Sequence, residues 1–178
     1  MEQSDFVVIL NRVPPEGIDL SIRVDDPARA GIDLALPLDG ALEADLEVRR
    51  LEGELHVSGE VRATVLLDCS RCLRSFPLPL RGAVEATFAP RAVVAEEGDR
   101  ELAEEDLEVQ PLEHGAADLR GVVAEQVHLA VPIKPLCSED CRGICPRCGA
   151  DHAGGPCGCP PPPGDPRWEA LRKLAPTG

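Results

Sequence analysis

The chain has 178 residues, which is the size of one main domain with at most a small appendage. Aromatic residues make up only 2% of it, with no tyrosine, and this argues against an aromatic platform for stacking single-stranded bases. The formal net charge of -14 repels nucleic acid at long range and attracts basic proteins.

The charge is unevenly distributed. Residues 1–133 hold 12 Lys and Arg against 27 Asp and Glu, whereas residues 134–178 hold 6 against 5. The stretch 69–91 is also locally basic, with four arginines against Glu85 alone. We therefore expect any contact with phosphate to come from the cysteine-containing end of the molecule rather than from the acidic body.

The chain contains no apolar run of about 18 residues, so no membrane span is predicted. The first residues lack the basic start and the apolar stretch of a secretory signal. We expect a cytoplasmic protein. In a reducing compartment, close cysteine pairs are more often metal ligands or redox pairs than disulfides.

The first half of the chain predicts an antiparallel β-sheet. Segments 6–10 and 18–24 are short strand candidates. Apolar and polar residues then alternate over 42–49, 55–67 and 76–88, which is the period of a half-buried strand. Because the links are short, these three strands form a meander with one face in water.

Two prolines interrupt the outward positions of the third strand. Neither Pro77 nor Pro79 can donate a hydrogen bond to a neighbouring strand, so they predict an edge position or a bulge.

The rest of the chain predicts a loop, a helix and a tail. Residues 92–114 hold nine acids and one arginine, which is typical of a solvated loop. A helix is expected near 118–130, with Asp118 as N-cap. Prolines 160–163 form a stiff spacer before a short terminal helix near 166–174.

The predicted fold class is α+β, an antiparallel meander with one or two helices and a cysteine-rich, zinc-binding tail. We divide the chain into an acidic sheet domain at 1–134 and the tail at 135–178.

Eight cysteines lie in two places in the sequence. Cys69 and Cys72 are separated by two residues after the second meander strand. The other six crowd the tail: Cys137, Cys141, Cys145, Cys148, Cys157 and Cys159. Zinc takes four ligands in a tetrahedron, and cysteines two to four residues apart can supply two ligands from one turn. Two four-cysteine sites, with two structural zinc ions, would use all eight.

Two groupings are compatible with the spacing. We favour Cys69 and Cys72 with Cys137 and Cys141, because the preceding helix can bring the chain back to the sheet; the last four cysteines then form a local site. The alternative combines Cys69 and Cys72 with Cys145 and Cys148. His152 is a candidate substitute ligand, although an exposed loop histidine fits its position better.

A redox pair is the rival interpretation of Cys69 and Cys72. Thioredoxin-like pairs lie at a helix N-terminus in a βαβ pattern, whereas strand patterns flank this pair on both sides. Four thiolates around zinc also leave no open position for water. With no phosphate loop, HExxH or GxSxG motif, the sequence favours a protein that is not an enzyme and has no small-molecule substrate.

Five arginines near the cysteines are candidate contacts to RNA or to a protein partner: Arg71, Arg74, Arg81, Arg142 and Arg147. Solvated positions with no binding role explain them equally well at this stage.

Two motifs carry a resemblance to a known family. Leu67-Asp68-Cys69-Ser70-Arg71-Cys72-Leu73 resembles the Cys-x-Arg-Cys-Leu hairpin of the bacterial YceD-like proteins, which also occur in chloroplasts. Residues 129–149 are similar to the second signature of that family, and Cys157-Gly158-Cys159 fits its tail. The resemblance extends over residues 40–175. It departs from the family at Asp151-His152-Ala153, where an Asn-Leu-Asn-like stretch is common.

The resemblance implies a role in accumulation of 23S ribosomal RNA and in assembly of the large ribosomal subunit, with no enzymatic activity. The first hypothesis is accordingly an assembly factor. Its acidic body would bind a basic ribosomal or rRNA-processing protein, and its zinc end would contact rRNA or the same partner. The second hypothesis is a thiol-based redox or zinc-sensing regulator that uses Cys69 and Cys72.

Overall fold

The computed structural model describes residues 6–90, 109–160 and 167. Among these residues, no helix is long and apolar enough to cross a membrane. The strands and helices are β1 (Val7–Ile9), β2 (Ile18–Val24), β3 (Leu42–Leu51), β4 (Glu54–Asp68), β5 (Ser75–Pro90), β6 (Val109–Leu112), β7 (Ala116–Asp118) and α1 (Arg120–Leu129), with 3-10 turns at Leu10–Arg12 and His152–Gly154.

The main sheet has five strands in the order β2-β3-β4-β5-β6. The pairs from β2 to β5 are antiparallel, so the predicted meander is present and β2 extends it by one strand. β4 and β5 form the longest pair, from Leu55 opposite Phe88 to Asp68 opposite Ser75. This long hairpin carries Cys69 and Cys72 at its tip.

The sheet is mixed rather than purely antiparallel, which corrects the prediction. β6 runs parallel to β5, with Thr87 opposite Val109 and Pro90 opposite Leu112. A parallel pair needs a long connection, here residues 91–108. No local turn pattern in the sequence predicts such a pair. The prediction of a loop was therefore wrong for residues 109–112, and residues 92–108 lie outside the described part.

One face of the sheet forms the core. The apolar positions of the alternating pattern are buried, including Leu42, Val48, Val61 and Val65. Helix α1 packs on this face and contributes Val122, Val123, Ala124 and Val127. Gly82 on β5 permits the close approach, because a Cβ there would lie 2.9 Å from the backbone oxygen of Gln126.

The start of α1 lies one residue later than predicted. Asp118 is still part of β7, opposite Val7, so Leu119 is the N-cap. The Asp118 carboxylate nevertheless accepts a hydrogen bond from the backbone N–H of Arg120 at 3.1 Å. It also pairs with the Arg120 guanidinium, which lowers the pKa of Asp118.

The opposite face of the sheet is polar, as the meander predicts. The register places Asp19 opposite Glu47, and Asp45 opposite Glu60. Arg62 bridges the second pair, with Nη1 at 2.8 Å from Glu60 Oε1 and Nη2 against Asp45. Asp19 has no ion pair among the described residues. This face is therefore an acidic surface only partly neutralised by its own arginines.

Pro77 and Pro79 lie opposite Leu66 and Thr64 of β4. On the other side of β5, β6 covers only Thr87–Pro90, so within the described residues both prolines lie at a free edge, as predicted. The predicted spacer at Pro161–Pro163 and the terminal helix near 166–174 fall outside the described residues, apart from Arg167.

Candidate metal centres

The tip of the β4–β5 hairpin fixes the first cysteine pair. Cys69 N–H donates to the Arg74 oxygen, and Leu73 N–H donates to the Cys69 oxygen, both at 2.9 Å. Closing so tight a turn places Leu73 at a φ of 60°, in the left-handed region. The turn buries the side chains of Cys69 and Cys72.

The chain after α1 returns to this tip. Ser70 N–H donates to the Pro135 oxygen at 2.9 Å. The Arg71 guanidinium donates to the backbone oxygens of Glu139 and Cys141 at 3.0 and 2.8 Å. These contacts bring Cys137 and Cys141 against Cys69 and Cys72, and the four Sγ atoms lie within 4.8 Å of one another. We call this group the hairpin site.

The second group repeats the same turn. Cys145 N–H donates to the Ala150 oxygen, and Gly149 N–H donates to the Cys145 oxygen, both at 2.8 Å. Gly149 takes the left-handed conformation, with a φ of 72°. Cys145, Cys148, Cys157 and Cys159 have all Sγ atoms within 4.8 Å of one another. We call this group the tail site.

The two groups are those that the sequence favours, and the alternative grouping is not the one found. His152 does not belong to either group. Its backbone N–H donates to the Gly143 oxygen at 2.9 Å, and it begins the short 3-10 turn before Cys157.

The sulfur spacing fits a tetrahedral metal ion. Cys69 Sγ lies 3.7 Å from Cys141 Sγ, and Cys72 Sγ lies 3.7 Å from Cys137 Sγ. A tetrahedron with Zn–S bonds of about 2.3 Å has edges of about 3.8 Å. A disulfide would need about 2.05 Å, and all eight cysteines are free. Each group could therefore hold a metal ion.

Backbone amides are aimed at the first sulfur of each turn. N–H groups of Cys137, Cys72 and Arg71 lower the pKa of Cys69 to about 6. In the tail site, N–H groups of Cys148 and Arg147 lower the pKa of Cys145 to about 6. Such donors favour the thiolate, which is the form that binds metal.

Cys137 and Cys159 show the opposite pKa shift. Burial raises the pKa of Cys137 to about 12. The side-chain hydrogen bond with Cys148 raises the pKa of Cys159 to about 12. Four neighbouring thiols cannot all ionise unless a cation compensates their charge, as a bound divalent metal ion would.

The structure separates the five candidate arginines into two classes. Arg71 binds backbone oxygens of the tail, Arg74 pairs with Asp151 at 3.2 Å, and Arg81 lies 3.7 Å from Glu60. Arg142 and Arg147 are exposed, and their guanidinium groups have no partner among the described residues. Pattern and spacing give no sign of this division, because it depends on which residues the two sites bring together.

The comparison with known families identifies the chain. The family described as large ribosomal RNA subunit accumulation protein YceD matches residues 57–175. The chain belongs to the YceD family. The matched region contains β4 from Val57 onward, all of β5, helix α1 and all eight cysteines of the two sites.

Curated relatives of this YceD-family chain include an uncharacterized protein of Mycobacterium tuberculosis. It is 34% identical over 166 residues, covering 93% of this chain and 77% of the relative. An uncharacterized protein of Mycobacterium leprae is 31% identical, with coverages of 93% and 74%. A maize protein named large ribosomal RNA subunit accumulation protein YCED homolog 1, chloroplastic, is 22% identical over 139 residues, 65% of this chain and 47% of the relative. No solved structure matches the chain significantly.

Proposed function

We propose that this protein is a non-enzymatic cytoplasmic factor that supports accumulation of 23S rRNA and assembly of the large ribosomal subunit, with two structural zinc ions. The observation that carries the proposal is the family match over residues 57–175, because it contains both cysteine sites. The maize relative is likewise named as a large ribosomal RNA subunit accumulation protein.

Zinc is the metal that best suits both sites. Soft thiolates select zinc, copper(I) or iron–sulfur clusters. A single tetrahedral ion fits the 3.7 Å sulfur spacing of the hairpin site, and the sulfurs of the tail site lie within 4.8 Å of one another. Four cysteines complete the coordination and leave no position for a reacting water. The role of the metal is then mechanical: the hairpin site attaches residues 137–141 to the sheet, and the tail site folds residues 145–159.

We assign the partner contacts to two surfaces. The acidic face of β2–β5, with Asp19 opposite Glu47 and Asp45 opposite Glu60, suits a basic ribosomal or rRNA-processing protein. The tail site, with Arg142 and Arg147 exposed and unpaired in the described part of the chain, suits rRNA phosphate or an acidic segment of the same partner.

The regulator hypothesis has less support from the geometry. Cys69 is fully buried, and its sulfur lies 3.7 Å from Cys141, a residue of the tail. A redox pair needs an accessible thiolate. Reversible oxidation of Cys69 and Cys72 in the metal-loaded protein would favour this second hypothesis over a purely structural role.

Depletion of the protein in its own organism tests the proposed function. We expect a deficit of 23S rRNA relative to 16S rRNA, and fewer large subunits in sedimentation gradients. Re-expression of the wild-type chain should restore both, whereas a Cys72→Ser, Cys141→Ser chain should not. Normal levels of 23S rRNA and of large subunits after depletion would overturn the proposal.

A further inference from the structure

The two cysteine sites share a short, crowded connection. Only three residues separate Cys141 of the hairpin site from Cys145 of the tail site. In the middle of them Gly143, at a φ of 73°, lies so close to the hairpin tip that a Cβ would be 2.8 Å from the Arg71 oxygen. The sites are therefore packed against each other and cannot move independently over any large distance.

Arg74 reaches both sites from the hairpin. Its backbone oxygen accepts the N–H of Cys69, a residue of the hairpin site, at 2.9 Å. Its guanidinium lies 3.2 Å from a carboxylate oxygen of Asp151, in the loop of the tail site. One cavity of about 430 Å³ lies where the two sites meet. It is lined by Arg74, by Cys137 and Cys141 of the hairpin site, and by His152 and Gly155 of the tail loop.

Asp151 is firmly built into the tail site. Its backbone bridges to Ile144, the residue before Cys145. One carboxylate oxygen accepts the backbone N–H of Ala153 at 2.9 Å, while the other faces Arg74. A displacement of Arg74 therefore acts on the loop that connects Cys148 to Cys157.

We propose that Arg74 is a positioning residue that couples the two sites, so that a metal ion in the hairpin site strengthens metal binding in the tail site. This inference rests on the metal binding included in the proposed function. A Zn²⁺ ion with four thiolates has a formal charge of about -2, so a loaded hairpin site holds the guanidinium where it meets Asp151. With the site empty, the turn that carries Arg74 is held by its backbone hydrogen bonds alone, and the guanidinium is positioned less firmly.

Metal titration followed by native mass spectrometry tests the coupling, with Co²⁺ and Zn²⁺ as probes and a competing chelator to set the free concentration. The affinity of the tail site is measured in the intact chain and in a Cys137→Ser, Cys141→Ser chain that lacks the hairpin site. We expect the tail-site affinity to fall about tenfold when the hairpin site is lost.

We expect Arg74→Ala, which changes no cysteine, to remove most of this difference in tail-site affinity when it is introduced into both chains. Asp151→Asn provides the second arm, because it retains the acceptor for Ala153 but loses the ion pair; the double variant should be no weaker than either single variant. Arg49→Ala, which breaks the remote pair with Glu47, is the matched control and should leave the ratio unchanged.

A tail-site affinity that is the same with and without the hairpin site would overturn the coupling. So would an Arg74→Ala chain that retains the full wild-type difference. Absence of any bound metal in the intact chain would instead overturn the zinc part of the proposed function, and the coupling with it. Two metal ions bound independently would refute only the coupling.

Discussion

Cys69 and Cys141 are 72 positions apart in the chain, yet their sulfur atoms lie 3.7 Å apart, at the edge length of a zinc–thiolate tetrahedron. This contact connects the tip of the β4–β5 hairpin to the tail. Cys72 and Cys137 make the second such contact at the same distance. The attachment of the tail to the sheet thus depends on one four-sulfur group, on the hydrogen bonds of Ser70 and Arg71, and on the ion pair of Arg74.

Gly143→Ala should destabilise this attachment. The new Cβ would meet the Arg71 oxygen at 2.8 Å, and the φ of 73° is unfavourable for alanine by about 1–2 kcal/mol. We expect a loss of unfolding free energy of at least about 1 kcal/mol in denaturant titrations of the metal-loaded protein. Gly158→Ala, with open space around its Cβ, is the control. Equal stability of the two variants would contradict the close packing of Gly143.

Gly82→Ala should disturb the packing of α1 on the sheet. Its Cβ would lie 2.9 Å from the Gln126 oxygen, a backbone atom that cannot move alone, so we expect destabilisation by about 1–3 kcal/mol. Gly121→Ala in α1 itself has open space and should stabilise the protein by up to about 1 kcal/mol. Urea unfolding measures both, and opposite signs are the expected result; a stabilising Gly82→Ala would disprove the packing.

The ion pair of Asp118 and Arg120 should contribute a pH-dependent term to stability. The folded state lowers the pKa of Asp118, so its contribution is present above the unfolded pKa of about 3.9 and is lost as the pH falls through the lower folded value. Asp118→Asn should therefore cost stability at pH 7, and less below pH 4. Comparing wild type with the variant at each pH cancels the effect of acid on the cysteine sites. A difference that does not change with pH would contradict this assignment.

Arg142 and Arg147 should contribute more to RNA binding than the engaged arginines. We expect the Arg142→Ala, Arg147→Ala chain to bind a 23S rRNA fragment more weakly, with a smaller dependence of affinity on salt, because fewer counterions are released. Arg49→Ala and Arg50→Ala together are the control on the sheet. If the control pair weakens binding equally, the contact does not lie on the tail site; binding without salt dependence would argue against phosphate contact altogether.

Local patterns predict much of this fold. The alternation over Leu42–Val48 and the apolar stripe of α1 are direct consequences of burial on one face, and both are buried as expected. The return of the chain after α1 favours the observed four-cysteine groups over the alternative grouping that the spacing also allows. β6 was missed because Pro111 and the preceding acids favour a loop, and its parallel partner is distant in sequence.

Contacts between loops are the part that the sequence does not predict. Nothing in the spacing indicates that Arg74 meets Asp151, because the two lie in different turns that are distant in sequence. Leu73 likewise takes a left-handed conformation where Gly149 occupies the equivalent place in the tail site. Only the three-dimensional arrangement shows that the two turns have the same hydrogen bonds.

The number of metal ions per chain tests the central claim most directly. Elemental analysis combined with native mass spectrometry should find two zinc ions in the intact protein. Cys141→Ser should lose the ion of the hairpin site, whereas Ser138→Ala, in the same loop, should retain both. An intact chain that binds one zinc ion or none when zinc is supplied in excess would contradict the account of two closed four-cysteine centres.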